Sequence, residues 1–372
     1  MIFLYSDVLY RAGGIETYLH ALALKLRAEG VPFRIAVSEQ EPCPLIDELV
    51  GLGVDVYRQS MIPGDRWHVR KRMLVLWLWS KLKAGDWVFC VRQPMPELYL
   101  WLVRLVHARK ARIAASWIFA PLALSARTPA HLQDRFGEAV RETDAVISVA
   151  QCTAGEFSKA YGYKGDVHVV RYHNLPVFAK AVPLPAAPPW RIGFMGRIEI
   201  VHKNLDMVLE AFAELCRRRS DVELHFFGGG PDEPQFAAMV QRAGLGAKVA
   251  LHGRYDHRTD LPAIVASCHL FIYPSRYEGG PCLSLLELLQ AGRFVVTSAV
   301  GGIPDIYEGH AEFGIMVAPD DRRAFVDALE AGLAKVAAQG VDQSAMREHY
   351  ARNFDMDAAH RGWMRALRLE GS

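Results

Sequence analysis

The sequence predicts an α/β protein built as two doubly wound halves facing a cleft. Three observations predict it. Short apolar runs alternate with amphipathic stretches along the chain, as in parallel strands joined by crossover helices. A segment over 176–189 with five prolines in 14 residues divides that series in two. Proline removes amide donors and stiffens the chain, so this segment reads as an interdomain linker. Finally, the chain has 372 residues, which at roughly 150 residues per domain leaves room for two.

The elements follow in order. Ile2–Tyr5 reads as the first strand, Gly13-Gly14 as a turn, and Glu16–Glu29 as a helix with Leu19, Leu22, Ala23 and Leu26 on one face. Phe33–Val37, Val88–Val91, Ile113–Ser116, Ala145–Val149 and Val167–Arg171 read as further strands. Beyond the Pro-rich segment come strands at Arg191–Met195, Val222–Phe227, Val249–Leu251, Leu270–Tyr273 and Phe294–Thr297. Helices are expected at Asn204–Arg218 and Leu283–Ala291, and Met346–Leu369 is mostly helical in pattern. The domains are therefore expected over 1–180 and 190–354, with a terminal helix at about 355–372 packing back on the first. Ligands of such sheets bind beyond the carboxyl ends of the strands, so the cleft is the expected site.

Composition excludes several classes. With 51% apolar and 23% charged residues, a mainly disordered chain is ruled out. The net charge of +2 excludes a uniformly basic nucleic-acid binder. No apolar run approaches the roughly 20 residues of a membrane span. The first residues lack a basic leader region and read as a strand, not a signal peptide. The six cysteines are scattered without a C-x-x-C pair. No disulfide framework or zinc site is expected, and a reducing cytoplasm is the default.

Three segments carry chemistry. In Gly193–Asn204 a strand ends at Gly196, and Arg197 and Lys203 sit on the loop before a helix. Two cations there can converge on a diphosphate, or they can be ordinary solvated loop charges. In Tyr273–Glu287 a strand is followed by Glu278-Gly279-Gly280 and then a helix beginning near Cys282. Helix N-termini suit phosphate, and Glu278 and Glu287 can bind sugar hydroxyls. Alternatively the glycines form only a turn and Glu287 lies on a helix surface. Gly13-Gly14, after the first strand, lets the backbone approach a ligand closely, but it is not a full G-x-G-x-x-G. Phe227–Pro231 and Val300–Asp305 are glycine loops of the same kind.

Together these segments resemble the GT-B retaining glycosyltransferases, in the large family that includes bacterial mannosyltransferases and sucrose synthases. Gly13–Glu16, Thr143–Val149, Gly196-Arg197 with Lys203-Asn204, Gly228–Pro231, Pro274-Ser275 with Glu278-Gly279, and Gly301–Pro304 carry the resemblance. It implies that Arg197 and Lys203 hold the donor diphosphate, helped by loop amides around Gly279, Gly280, Leu283 and Ser284. It further implies that Glu278 contacts the transferred sugar, Glu287 the ribose, and Arg254-Tyr255 the base. Gly13 and Gly14 would approach the diphosphate from the first domain. The implied reaction moves a hexosyl or N-acetylhexosyl unit from a UDP- or GDP-linked donor to a glycan or lipid-linked glycan in cell-surface polysaccharide biosynthesis. The first domain would bind the acceptor.

No metal or cofactor is implied, because the two cations meet the charge of the leaving group. The lone D-x-D, Asp355-Met356-Asp357, reads as helix surface. The chain departs from the family pattern in two places. Eight residues separate Glu278 from Glu287, where seven are usual. The family often has an acceptor-domain histidine after a mid-domain strand, and the matching stretch here, Ile113–Phe119, contains none. His107 and His173 are not selected by spacing, and no histidine is assigned to catalysis. A nucleotide-sugar epimerase, or a non-catalytic nucleotide-sugar or membrane-binding module, is the alternative.

Charge is uneven. Residues 1–185 hold 23 basic and 17 acidic residues, and the remainder 20 and 24. The segment 66–112 mixes Arg66, Arg70, Lys71, Arg72, Arg109 and Arg112 with Trp67, Trp77, Trp79 and Trp101. Cations beside Trp and Leu suit an anionic membrane surface, which implies a peripheral position on the inner face of the cell membrane. The same pattern also describes a core helix with a solvated rim. No nucleic-acid motif accompanies it.

Overall fold

The computed structural model describes residues 1–10, 13–59, 67–171, 177–257, 259–280 and 282–367. His173, Pro281 and Arg66 lie outside the described residues. Contacts divide the chain into two units, Met1–Leu175 with Asp355–Ser372, and Pro176–Phe354.

The first unit carries strands β1 (Ile2–Leu9), β2 (Phe33–Glu39), β3 (Val56–Gln59), β4 (Trp87–Cys90), β5 (Arg112–Trp117), β6 (Ala145–Ser148) and β7 (Val167–Val169). All pairings are parallel, in the order β3-β2-β1-β4-β5-β6-β7. Helices on both faces of a parallel sheet explain why β1 is buried at every residue. On one face Phe3, Tyr5, Ala36, Val88 and Cys90 meet Leu74, Leu78 and Val103. On the other, Ile2, Leu4, Ile35 and Phe89 meet Leu19, Leu22 and Leu26 of the Gly14–Ala28 helix.

The second unit carries β8 (Trp190–Met195), β9 (Val222–Phe227), β10 (Val249–Leu251), β11 (Leu270–Tyr273), β12 (Val295–Ser298) and β13 (Gly314–Val317). These too are all parallel, in the order β10-β9-β8-β11-β12-β13. Both sheets thus have the doubly wound order 3-2-1-4-5-6, the first with one strand added, and their strand order reverses at β1/β4 and at β8/β11.

The structure differs from the sequence reading in several places. β3 and β13 went unread. Both lie at sheet edges; VYRQ of β3 is half-buried throughout and carries no apolar run, whereas GIMV of β13 is a short apolar run of four residues. The stretch Met346–Leu369, read as mostly helical, spans parts of two helices, Gln343–Asn353 and Met356–Ala366. The break falls at Phe354-Asp355, where the chain passes between units, and the Asp355 carboxylate accepts from the Ala358 amide at 2.6 Å.

The Pro-rich segment is strapped along the second unit. The Val177 and Phe178 amides donate to Gln290 Oε1 at 2.8 and 2.9 Å. The buried Arg293 guanidinium donates to the Val182 and Pro183 carbonyls at 2.7 and 2.5 Å. Burial pulls that guanidinium down to about 10.

The basic segment 66–112 needs correction. Arg70 and Lys71 are 5% and 2% exposed and are not part of a cationic rim. Lys71 Nζ lies 3.5 Å from the buried Asp7 carboxylate, and Arg70 donates to the Glu39 carbonyl at 3.3 Å. The sequence does not separate the two faces, because on the Trp67–Lys81 helix these cations take the inward positions one turn before Leu74 and Val75. Trp77 also turns inward and stacks on Tyr57 with ring centroids 4.0 Å apart. What the helix exposes is Val69, Met73, Leu76 and Trp79, with Arg72 beside them. Among the described residues no helix is long and apolar enough to cross a membrane.

Candidate active site

The second-unit site is built at the carboxyl edge of its sheet, on either side of the β8/β11 reversal. β8 runs into the loop 196–204. Gly196 N donates to Phe227 O at 3.0 Å, and Ile198 N to Gly229 O at 3.2 Å. This tight seam explains the glycine loop after β9. A Cβ on Gly228, whose φ is +134°, would stand 1.9 Å from the Gly196 carbonyl oxygen, and one on Gly230 2.2 Å from that of Ile198.

Lys203 leaves this loop inward and is 6% exposed. Its Nζ donates to Tyr273 Oη at 2.9 Å and to Glu278 Oε1 at 2.5 Å. The two residues assigned to diphosphate and sugar therefore meet. Burial alone would raise the Glu278 carboxyl. The Lys203 charge, followed by the His202 ring, overcomes it and holds the group at about 2. Arg197 stays outside, its side chain 69% exposed and 3.2 Å from Glu199.

His202 also belongs to this cluster, and the sequence alone did not single it out. Its ring lies flat on Tyr277 with centroids 4.4 Å apart. Nδ1 sits 3.0 Å from Glu199 Oε2, and Nε2 sits 3.0 Å from the Tyr277 carbonyl oxygen and 3.4 Å from Glu278. Its adjacency to Lys203 was the available signal. Of the histidines weighed earlier, His107 pairs with Asp144 at 2.9 Å, and Asp144 also accepts the Ile113 amide, so the pair supports the opposite, amino-terminal edge of the first sheet.

Glu287 is on the Leu283–Ala291 helix and is 1% exposed, so it is not a helix-surface residue. It is hydrogen-bonded to His257, on the loop after β10. Tyr255, from the same loop, is raised by burial and then by the Glu287 charge. Arg254 packs over Gly229, where a Cβ would meet its Cγ at 2.7 Å. Leu283 and Ser284 open the helix, whose N-cap residue Cys282 makes no side-chain capping bond. Gly279 and Gly280 are buried. Gly302 N donates to Gly279 O at 2.9 Å, and a Cβ on Gly301 would meet the Glu278 carbonyl oxygen at 2.1 Å. The Gly301-Gly302 motif is therefore the seat of the Glu278 loop.

Gly13 and Gly14 belong to the first unit, at the start of its first helix. Gly13 is extended, with the Glu16 carboxylate 2.7 Å from where its Cβ would be. Asp355 caps a helix and Asp357 pairs with Lys25 at 2.6 Å, so the D-x-D is accounted for as helix surface.

Comparison with known proteins follows this geometry. Residues 189–335 match the family described as glycosyl transferases group 1. The chain is 30% identical over 160 residues to alpha-D-kanosaminyltransferase of Streptomyces kanamyceticus, covering 43% of this chain and 38% of that protein. It is 29% identical over 209 residues to the lipopolysaccharide core biosynthesis mannosyltransferase LpsB of Rhizobium meliloti, covering 52% and 56%. The chain thus spans less than two thirds of either relative. Among solved structures, Anabaena HepE in complex with UDP superposes with a TM-score of 0.77 at 17% identity, covering 99% of both chains. Sucrose-phosphate synthase from Thermosynechococcus elongatus superposes at 0.76 and 17%, covering 100% and 99%. The two sheets have the GT-B architecture. The similarity to group 1 glycosyl transferases lies in the second unit, over residues 189–335.

Proposed function

We propose that this protein transfers a hexosyl or N-acetylhexosyl group, with retention, from a nucleotide sugar to a glycan or lipid-linked glycan of a cell-surface polysaccharide. The observation that carries the reading is the meeting of Lys203 and Glu278 at the β8/β11 reversal, with Arg197 and Glu287 on the same sheet edge. In this reading Arg197 and Lys203 hold the diphosphate, Glu278 the sugar, Glu287 the ribose and Arg254-Tyr255 the base. A departing nucleoside diphosphate gathers negative charge, and preorganised cations and helix amides stabilise it most in the transition state. HepE has been solved with UDP and with UDP-glucose, and LpsB acts in lipopolysaccharide core biosynthesis. Both support a nucleotide-sugar donor and a surface glycan. The reading assigns no metal, and turnover unchanged by a chelator is its expected companion result.

The first unit takes the acceptor in this reading. Its own reversal, β1/β4, is flanked by Asp7 and Arg92, with Ser38 and Gln59 paired in register alongside. Asp7 Oδ1, Ser38 Oγ, Gln59 Oε1 and Arg92 Nε are buried polar atoms with no hydrogen-bond partner among the described residues, which makes this end of the sheet polar. The exposed stripe Val69, Met73, Leu76 and Trp79 beside Arg72 would rest this unit on an anionic lipid surface at the inner face of the membrane.

Donor consumption assayed with UDP- and GDP-sugars tests the enzyme reading. Arg197→Ala, Lys203→Ala and Glu287→Ala should each lower turnover at least tenfold, as loss of a charge-assisted contact of ~1.5–3 kcal/mol would. Near-normal turnover in all three sinks it.

A further inference from the structure

His202 joins the two halves of the charge network and has no role in the reading above. Glu199 and Glu278 lie on its opposite sides, at 3.0 and 3.4 Å, and each carboxylate also holds one cation: Arg197 on Glu199, Lys203 on Glu278. Tyr277 covers one ring face and offers its carbonyl to Nε2. The loop is fixed from behind by Arg276. Its backbone amide donates to His202 O at 3.0 Å, and its guanidinium is taken up by Asp206, Asp320 and the Val201 carbonyl.

Both ring nitrogens therefore face acceptors. A neutral imidazole has one N–H and can satisfy one side, whereas the doubly protonated ring has a donor for each. The demand sharpens when a diphosphate arrives. It draws Arg197 and Lys203 towards itself, and the two carboxylates lose part of their compensation while negative charge is added nearby. The imidazolium is the group left to hold both.

We propose that His202 is a positioning residue of the donor site: as the imidazolium it keeps Glu278 and Glu199 in place while Lys203 and Arg197 turn to the diphosphate, so that donor binding takes up a proton. This rests on the donor-site reading given above. The proton comes from solvent and adds to the ring, and no covalent bond of the donor changes.

Calorimetric titration of the full chain with UDP-glucose and with GDP-mannose tests it, because neither diphosphate diester titrates near neutrality. At about pH 8 the binding enthalpy should differ between Tris and HEPES by an amount corresponding to net proton uptake. Affinity should weaken with rising pH, by up to about tenfold per unit. His202→Gln should bind with no buffer dependence and a flat pH profile, and His107→Gln, at the amino-terminal edge of the first sheet, should keep the uptake. Equal enthalpies in the two buffers, uptake that survives in His202→Gln, or uptake lost in His107→Gln instead overturns the proposal and leaves the donor site standing. The wild-type comparison needs no variant to fold. Failure of both donors to bind overturns the donor-site reading itself, and this proposal with it.

Discussion

Glu278 shows how a single carboxylate is kept ionised inside a fold. Its depressed value of about 2, against an ordinary 4.5, means that it contributes stability above the ordinary value and loses that contribution as pH falls through about 2. By linkage this is on the order of 3 kcal/mol. Denaturant unfolding at a series of acidic pH values should therefore show wild type losing more stability than Glu278→Gln across that window, and parallel curves would contradict it. Lys71 is the converse. Burial pulls its amine down and Asp7 pushes back. Lys71→Glu should leave two buried carboxylates together and destabilise the first unit by ~3–5 kcal/mol, a loss visible in thermal unfolding without any lipid present. At this scale the sequence is informative where chemistry is tied to spacing. Arg197, Lys203, Glu278 and Glu287 stand out because each follows a strand or glycine loop at a fixed offset. His202 does not, because a histidine earns its role from the acceptors that a distant loop, Tyr277-Glu278, brings to it. The inward turn of Arg70 and Lys71 is invisible for the same reason.

Among the elements, the glycine loops were legible as turns after strands, but their purpose was not. Gly228 and Gly230 let β9 close against the 196–198 backbone, and Gly301 seats the Glu278 loop. Gly301→Ala, at φ +53° and against the Glu278 carbonyl, should cost ~1–3 kcal/mol and weaken donor binding more than it lowers Tm. Donor affinity left at wild-type level would refute that link. The Trp67–Lys81 helix carries the lipid prediction. Met73→Ser with Leu76→Ser should reduce flotation with phosphatidylglycerol vesicles at low salt while leaving unfolding unchanged. Absence of wild-type flotation removes the membrane reading. Central strands were legible as continuous apolar runs because both faces are covered. The edge strand β3 was not, since its segment VYRQ carries no such run.

At the scale of the molecule, the two α/β series and the proline-rich divide were enough to reach the fold class. The chain leaves the first unit and returns to it at Asp355. Trp363 on the Met356–Ala366 helix is 2% exposed and meets the Tyr18 ring edge-on at 5.4 Å in the core formed by Ile2, Leu4, Leu22 and Phe89. Trp363→Ala should cost the first unit ~3–5 kcal/mol, and ending the chain at Phe354 should cost more, while the second unit's cold-to-hot unfolding profile stays in place. The return of the chain also sets an order of events during synthesis. The seven strands of the first sheet leave the ribosome early, yet the helix that seals Leu4 and Phe89 follows only after all of residues 176–354. At roughly 5–20 residues per second, that apolar groove stays unsealed for on the order of ten seconds or more. For that interval the first unit lacks part of its own core, and the second unit is the first to be finished.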